Sequence, residues 1–132
     1  MMELGRVLTA MVTPFAPDGS VDYAQARRLA IALLDSGSDG LVVTGTTGEA
    51  PTLTIPEKIR LWSEVKDAVC ARAAVIAGSG DNCTADSVDL SREATRTGVD
   101  ALLLTVPYYN KPTQEGMYRH FVAIADAVAL PC

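Results

Sequence analysis

Four short apolar runs, rich in β-branched residues, alternate along the chain with longer stretches of helical periodicity. The runs are residues 7–12 (VLTAMV), 40–43 (GLVV), 73–77 (AAVIA) and 101–106 (ALLLTV). They are apolar on both faces, as strands covered from both sides must be. Within residues 23–36, Ala26, Leu29, Ala30, Leu33 and Leu34 form one stripe of 3.6-residue period. Asp22 and Gln25 predict a capping box at its start. Residues 55–69 form a second helix, with Thr54 and Glu57 as another box and Pro56 in the first turn, where its missing N–H costs little. Its Ile59, Trp62, Val65 and Val69 should face a sheet. Residues 84–97 are weakly patterned, whereas residues 114–127 place Met117, Phe121, Ile124 and Val128 on one side. Gly37, Gly98 and Pro131 punctuate the helix ends.

Strands alternating with amphipathic helices define the α/β class with a parallel sheet. Strand centres near Ala10, Val42, Ile76 and Leu103 give a repeat of roughly thirty residues, the size of a β-helix-β crossover. About four such units fit, forming one domain over residues 1–132. A (β/α)₈ barrel needs ~250 residues. The pattern therefore fits either a small doubly wound sheet or the first half of a barrel.

Composition narrows the functional classes. With 48% hydrophobic and 20% charged residues, the chain is neither disordered nor collagenous. Its net charge of −5 opposes binding to nucleic acid or an anionic membrane. No apolar run approaches the ~18 residues of a membrane span, and no targeting pattern opens the chain, so a cytoplasmic location is expected. Cys70, Cys83 and Cys132 are odd in number and lack metal spacing, which predicts reduced, mostly packed thiols. His120 has no ligand partner at helical spacing and reads as a partly solvated helix histidine, while Asp18 and Asp22 read as helix-start residues rather than a metal site. Residues 78–83 (GSGDNC) lack the third glycine of a dinucleotide fingerprint and its downstream acid. Neither metal nor cofactor is expected.

Chemistry in α/β folds gathers at the C-terminal ends of the strands. After the second run comes Gly45-Thr46-Thr47-Gly48-Glu49, two glycines around adjacent hydroxyls. Such a turn suits a small carboxylate and a proton relay, or else is an ordinary βα turn whose hydroxyls bond local backbone. After the fourth comes Pro107-Tyr108-Tyr109-Asn110-Lys111-Pro112, whose phenols could carry protons or merely pack at an interface.

These two loops, together with Thr9-Ala10-Met11-Val12-Thr13-Pro14-Phe15 and with Gly116 and Phe121, resemble the N-terminal half of the dihydrodipicolinate synthase family (4-hydroxy-tetrahydrodipicolinate synthase). The resemblance spans essentially the whole chain. N-acetylneuraminate lyase and ketodeoxygluconate aldolase share a similar second-strand motif, but the Tyr-Tyr-Asn loop favours the synthase. The resemblance implies a (β/α)₈ TIM barrel, usually tetrameric, that condenses pyruvate with aspartate semialdehyde toward diaminopimelate and lysine. It implies a lysine Schiff base whose iminium makes the pyruvate methyl nucleophilic. Thr46 then resembles a relay threonine between two tyrosines, and Tyr109 the relay tyrosine that reaches into a neighbouring subunit. Thr47 resembles the residue holding the pyruvate carboxylate, with Gly45 and Gly48 shaping the turn and Glu49 structural. Gly80, Asn82 and Tyr108 resemble part of the family's lysine feedback pocket, where Lys58 replaces a histidine found in some members and would repel that cation.

The Schiff-base lysine, the second relay tyrosine and the aldehyde-binding arginine of the family belong to later strands, beyond Cys132. Lys58 and Lys66 read as helix residues and Lys111 as a loop residue; none ends an apolar strand in a desolvated pocket. A chain of this extent is expected to be a fragment, inactive alone, with two open sheet edges and a barrel-lining face left wet. The remaining alternative is a non-enzymatic flavodoxin-like module, which would need a fifth βα unit.

Overall fold

The computed structural model describes residues 4–132. Four strands, β1 (Leu8–Ala10), β2 (Gly40–Val43), β3 (Ala74–Gly78) and β4 (Ala101–Leu103), alternate with four helices, α1 (Tyr23–Asp35), α2 (Ile55–Val69), α3 (Thr84–Arg96) and α4 (Gln114–Ala125). The sheet is parallel throughout in the order β1-β2-β3-β4. That sequential order has no switch point, so it is a barrel arc and not a doubly wound or flavodoxin-like sheet. Leu8 pairs with Gly40, Gly40 with Ala74, and Ile76 with Ala101.

Strand alternation sorts the side chains into two layers. Leu41, Val43, Val75, Ala77 and Leu102 pack under the helices with Leu61, Trp62, Val65 and Val69 of α2. On the opposite face, Ala74, Ile76 and Ala101 form a small cluster with Val42, while Leu8, Val12 and Leu103 remain exposed. The expectation of an apolar face lacking cover is met in the described residues, because helices line one side of the sheet alone. β1 and β4 are accordingly shorter than the runs at residues 7–12 and 101–106. The Leu102 amide nevertheless donates to the Pro131 carbonyl at 2.9 Å, so the chain beyond α4 returns to the free side of β4.

The helix layer is tied by polar contacts across its seams. Arg27 pairs with Glu64 at 3.1 Å, and the Arg60 guanidinium lies 3.9 Å from the Tyr23 ring centre, joining α1 to α2. Lys66 donates to Asp100 at 2.6 Å, and the same carboxylate oxygen accepts from the Val75 amide at 2.8 Å, tying α2 to β3 and the start of β4. The Thr54–Glu57 box forms, with Glu57 accepting from the Thr54 amide at 2.8 Å. The Asp22 box is half-formed: Asp22 Oδ1 accepts from the Gln25 backbone N–H, but the Gln25 side-chain Oε1 accepts from Arg28 Nε instead.

Two sequence expectations need correction. The three cysteines are free but exposed, because each sits at a helix boundary or beyond the last helix, where no layer covers it. His120 is buried, 4% exposed, because α4 packs its His120–Ile124 ridge inward against α3. Its Nδ1 lies 2.9 Å from Thr84 Oγ1, and its Nε2 has no partner among the described residues. The weak stripe of α3 arises because its inner face carries buried Ser87 and Ser91, the latter 2.8 Å from Ser79 Oγ.

Candidate active site

The site begins where β2 ends. Thr44 takes a left-handed conformation (φ 57°) that swings the chain out of the sheet. Its buried hydroxyl accepts from Trp62 Nε1 at 2.7 Å and lies 2.7 Å from the Val43 carbonyl and 3.1 Å from that of Gly78, to one of which it can donate. Two overlapping turns follow, closed by the Gly48 amide on Gly45 O at 3.0 Å and the Glu49 amide on Thr46 O at 3.1 Å. The residues at positive φ are Thr44 and Glu49, not the glycines assigned to the turn from sequence. Gly45 has room for a methyl group. Gly48 has little, since an added Cβ would approach the Met11 carbonyl to 3.1 Å where Thr13 Oγ1 donates to Gly48 O. Gly48 thus matters as a docking point against the loop after β1.

This turn leaves Thr46 and Thr47 exposed, and neither hydroxyl bonds another described residue. The ordinary-turn alternative, in which these hydroxyls satisfy local backbone, is not what forms. Thr46 and Gly45 border a cavity of about 330 Å³ at the C-terminal end of the sheet, shared with Lys58, Gly80 and Tyr108. Glycine is obligatory on its β3 side: a Cβ on Gly78 would sit 2.2 Å from the Thr44 carbonyl, and one on Gly80 would sit 2.4 Å from the Thr105 amide. Thr47, Gly48, Asn82 and Tyr109 do not line this cavity. Tyr109 instead projects outward, 94% exposed, from the loop after β4.

Lys58 lies on the second helix, as the sequence indicates, but the sequence does not show its burial. It lies in the first turns of α2, yet it is only 5% exposed, and it makes no ion pair or side-chain hydrogen bond with another described residue. Burial pulls its ammonium below the usual lysine range, and the Asp81 carboxylate only partly opposes this. The loop that leads into α2 and the loop after β3 share the cavity with it, and the second of these is brought there by the sheet. Lys58 lines the cavity together with Gly80 and Tyr108. Asn82 stands outside the cavity lining, but its carbonyl accepts from Asn110 Nδ2 at 3.0 Å.

Residues 3–132 match the family model described as the dihydrodipicolinate synthetase family. The chain belongs to that family. A 4-hydroxy-tetrahydrodipicolinate synthase from Moorella thermoacetica is 66% identical over 130 residues, covering 98% of this chain and 44% of that protein. The crystal structure of a dihydrodipicolinate synthase from Bacillus anthracis superposes with a TM-score of 0.96 at 52% identity, over 99% of this chain and 45% of that one. An Acinetobacter baumannii dihydrodipicolinate synthase solved in complex with pyruvate superposes at 0.94 with 42% identity, over 98% and 44% of the two chains. The chain spans somewhat under half the length of the relatives it matches, and it corresponds to the N-terminal half of the family's TIM barrel.

Within a synthase-family half-barrel, the two loops can supply free hydroxyls and unpaired backbone N–H groups at one rim, with an apolar wall behind them. Such groups can hydrogen-bond a small anion and exchange protons with it. The described residues contain no cluster of three metal-binding side chains, and no helix is long and apolar enough to cross a membrane.

Proposed function

We propose that this chain forms the pyruvate-handling half of a 4-hydroxy-tetrahydrodipicolinate synthase, a lyase that joins pyruvate to aspartate semialdehyde through an enzyme-bound imine. The observation carrying this reading is the free Thr46 hydroxyl beside a strand-mouth cavity, with the free Thr47 hydroxyl next to it on the same turn. Thr47 offers its hydroxyl and backbone N–H to the pyruvate carboxylate, with Gly45 and Gly48 setting the turn. Thr46 passes protons between tyrosines, one of which is Tyr109. The outward projection of Tyr109 supports its reaching a neighbouring copy, and so a homo-oligomer.

The imine needs a lysine, and the lysines of this chain serve poorly. Lys66 is paired to Asp100, and Lys111 lies on the exposed loop. Lys58 is desolvated, but it sits at the helix side of the cavity and not on a strand. The amine therefore comes from outside residues 1–132, and this chain alone does not turn over.

A chimera joining residues 1–132 to the remainder of the Moorella thermoacetica relative tests this. Borohydride reduction with pyruvate should add one pyruvate-derived mass to the chimera and none to the 132-residue chain. The chimera should condense pyruvate with aspartate semialdehyde, and Thr46→Val should lower kcat by about 10² or more, the usual worth of a proton-transfer group. An adduct on the short chain would place the imine-forming amine within residues 1–132 and overturn the assignment. An adduct on the chimera without condensation would point to a pyruvate aldolase acting on another aldehyde.

A further inference from the structure

Tyr109 holds a conformation that a non-glycine residue resists. Its φ is 71°, and the Asn110 amide donates to the Tyr108 carbonyl at 2.9 Å, so residues 108–110 make a three-residue γ-turn with Tyr109 at its centre. Lys111 follows at φ 43°. Strain of this kind persists only where the surroundings over-determine it. Tyr109 itself, almost fully exposed, supplies no packing to do so.

The restraint comes from the residues on either side of it. Tyr108 Oη donates to Asp81 Oδ2 at 3.1 Å, and Asn110 Nδ2 donates to the Asn82 carbonyl at 3.0 Å. Both acceptors belong to the turn between β3 and α3, which is itself locked. Asp81 Oδ1 accepts from the Asn82 amide at 2.7 Å, and the Asp81 amide donates to buried Ser87 Oγ at 2.9 Å. A carboxylate makes a stronger acceptor than a neutral group. Burial and the bond to Asp81 both raise the Tyr108 pKa, so its phenol stays a donor through neutral pH.

We propose that Asp81 is a positioning residue, whose carboxylate clamps the Tyr108 hydroxyl and thereby holds the strained turn that presents Tyr109. The inference rests on the reading of Tyr109 as a proton carrier. In that role Asp81 touches no substrate and acts through Tyr108.

Chymotryptic cleavage after Tyr109, followed by mass spectrometry on the 132-residue chain, reads the clamp directly. Asp81→Ala should speed that cut about fivefold, the effect of losing one partly exposed bond to a charged acceptor. Tyr108→Phe should match it, the double variant should add nothing more, and Asp81→Asn, which keeps an acceptor, should recover most of the protection. Cleavage after buried Trp62 should not change. Equal acceleration at Trp62, or none after Tyr109, overturns the proposal by making Asp81 a general stability residue or an idle one. In the chimera, Asp81→Ala should lower kcat about fivefold with KM for pyruvate unchanged, and Asp81→Asn should restore it. Faster cleavage with unchanged kcat would keep the clamp and refute the role of Tyr109. Slower turnover without faster cleavage would refute the clamp.

Discussion

The bond between Trp62 Nε1 and Thr44 Oγ1 should dominate the stability of the β2 rim, and a pair of substitutions at Thr44 can isolate it. Thr44→Val keeps the shape and the β-branch, so the left-handed strain at φ 57° is shared by both chains. It removes the acceptor of a fully buried indole N–H at 2.7 Å. An orphaned buried donor costs about 1–3 kcal/mol. Loss of the hydroxyl's own donation adds up to about 1 kcal/mol, and the new methyl offsets about 0.8 kcal/mol. The net is about 2 kcal/mol, or a fall of about 8 °C in Tm for a chain of this size. Thr44→Ser keeps the oxygen and loses only a methyl group, about 1 kcal/mol with its small cavity. The isosteric change should therefore be the more harmful. Urea unfolding followed by far-UV circular dichroism measures both, and fluorescence reports the same locus because Trp62 is the only tryptophan. Trp62→Phe should cost less in the Thr44→Val background than in the parent. If Thr44→Val is as stable as the parent, or more stable than Thr44→Ser, the bond contributes nothing net and the reasoning fails.

The other expectations test separate parts of the molecule. Burial lowers the His120 pKa below the free imidazole value of ~6.5, so the unfolded chain takes up the proton first; stability present above that value is lost as pH falls toward the folded pKa. The urea midpoint should thus drop between neutral and mildly acid pH, and His120→Gln should flatten that slope. Gly78→Ala should destabilise by about 3 kcal/mol, because the Thr44 carbonyl cannot retreat from a Cβ at 2.2 Å, whereas Gly45→Ala, with contacts no closer than 3.5 Å, should leave Tm nearly unchanged. Cys70→Gly and Tyr109→Gly should each raise stability by about 0.5–1 kcal/mol by relieving a positive φ, but only the second should abolish turnover of the chimera. L-Lysine should inhibit the chimera weakly, with Lys58→His increasing its affinity by calorimetry, because the buried ammonium of Lys58 repels a second cation.

Legibility followed locality. The four βα units, the α1 and α2 stripes and the Thr54–Glu57 box could be read because each arises within one contiguous stretch of chain, and the helices that form do cover one side of the strands. The two hydroxyl-bearing loops were identifiable as motifs, yet their conformations were not. Glycine suggested itself for the tight turn at residues 45–48, while Thr44 and Glu49 take the left-handed positions. Lys58 reads from sequence only as a helix residue; its burial comes from the loop that leads into α2 and the loop after β3, which the helix pattern does not announce. His120 looked half-wet for the same reason, and buried Ser87 and Ser91 disguised the inner face of α3. One unused signal existed for Thr44: a lone tryptophan on the inward stripe of α2 must find an acceptor when buried. The Asp81–Tyr108 bond joins residues 27 apart, and only the sheet order brings them together.

The two ends of the sheet treat backbone strain differently. In the turns that lead into β2 and β4, at the N-terminal rim, the left-handed positions belong to Gly37 and Gly98, which adopt them without penalty. In the loops after β2 and β4, at the opposite rim, the same region is occupied by Thr44, Glu49, Tyr109 and Lys111, each at a cost of about 1 kcal/mol or more. Glycine would relieve that cost at every one of these positions, so stability alone does not explain the side chains found there. Cys70 is the exception at the N-terminal rim, and no bond beyond a weak thiol contact with the Asp67 carbonyl holds it. Gly19, in the loop after β1, takes its positive φ without penalty, so the strain at the C-terminal rim is confined to the β2 and β4 loops, and that supports the proposal that they carry the chemistry. The strained residues themselves divide the work: Thr44 anchors the β2 loop through Trp62, and Tyr109 is presented outward by neighbours that Asp81 and Asn82 secure.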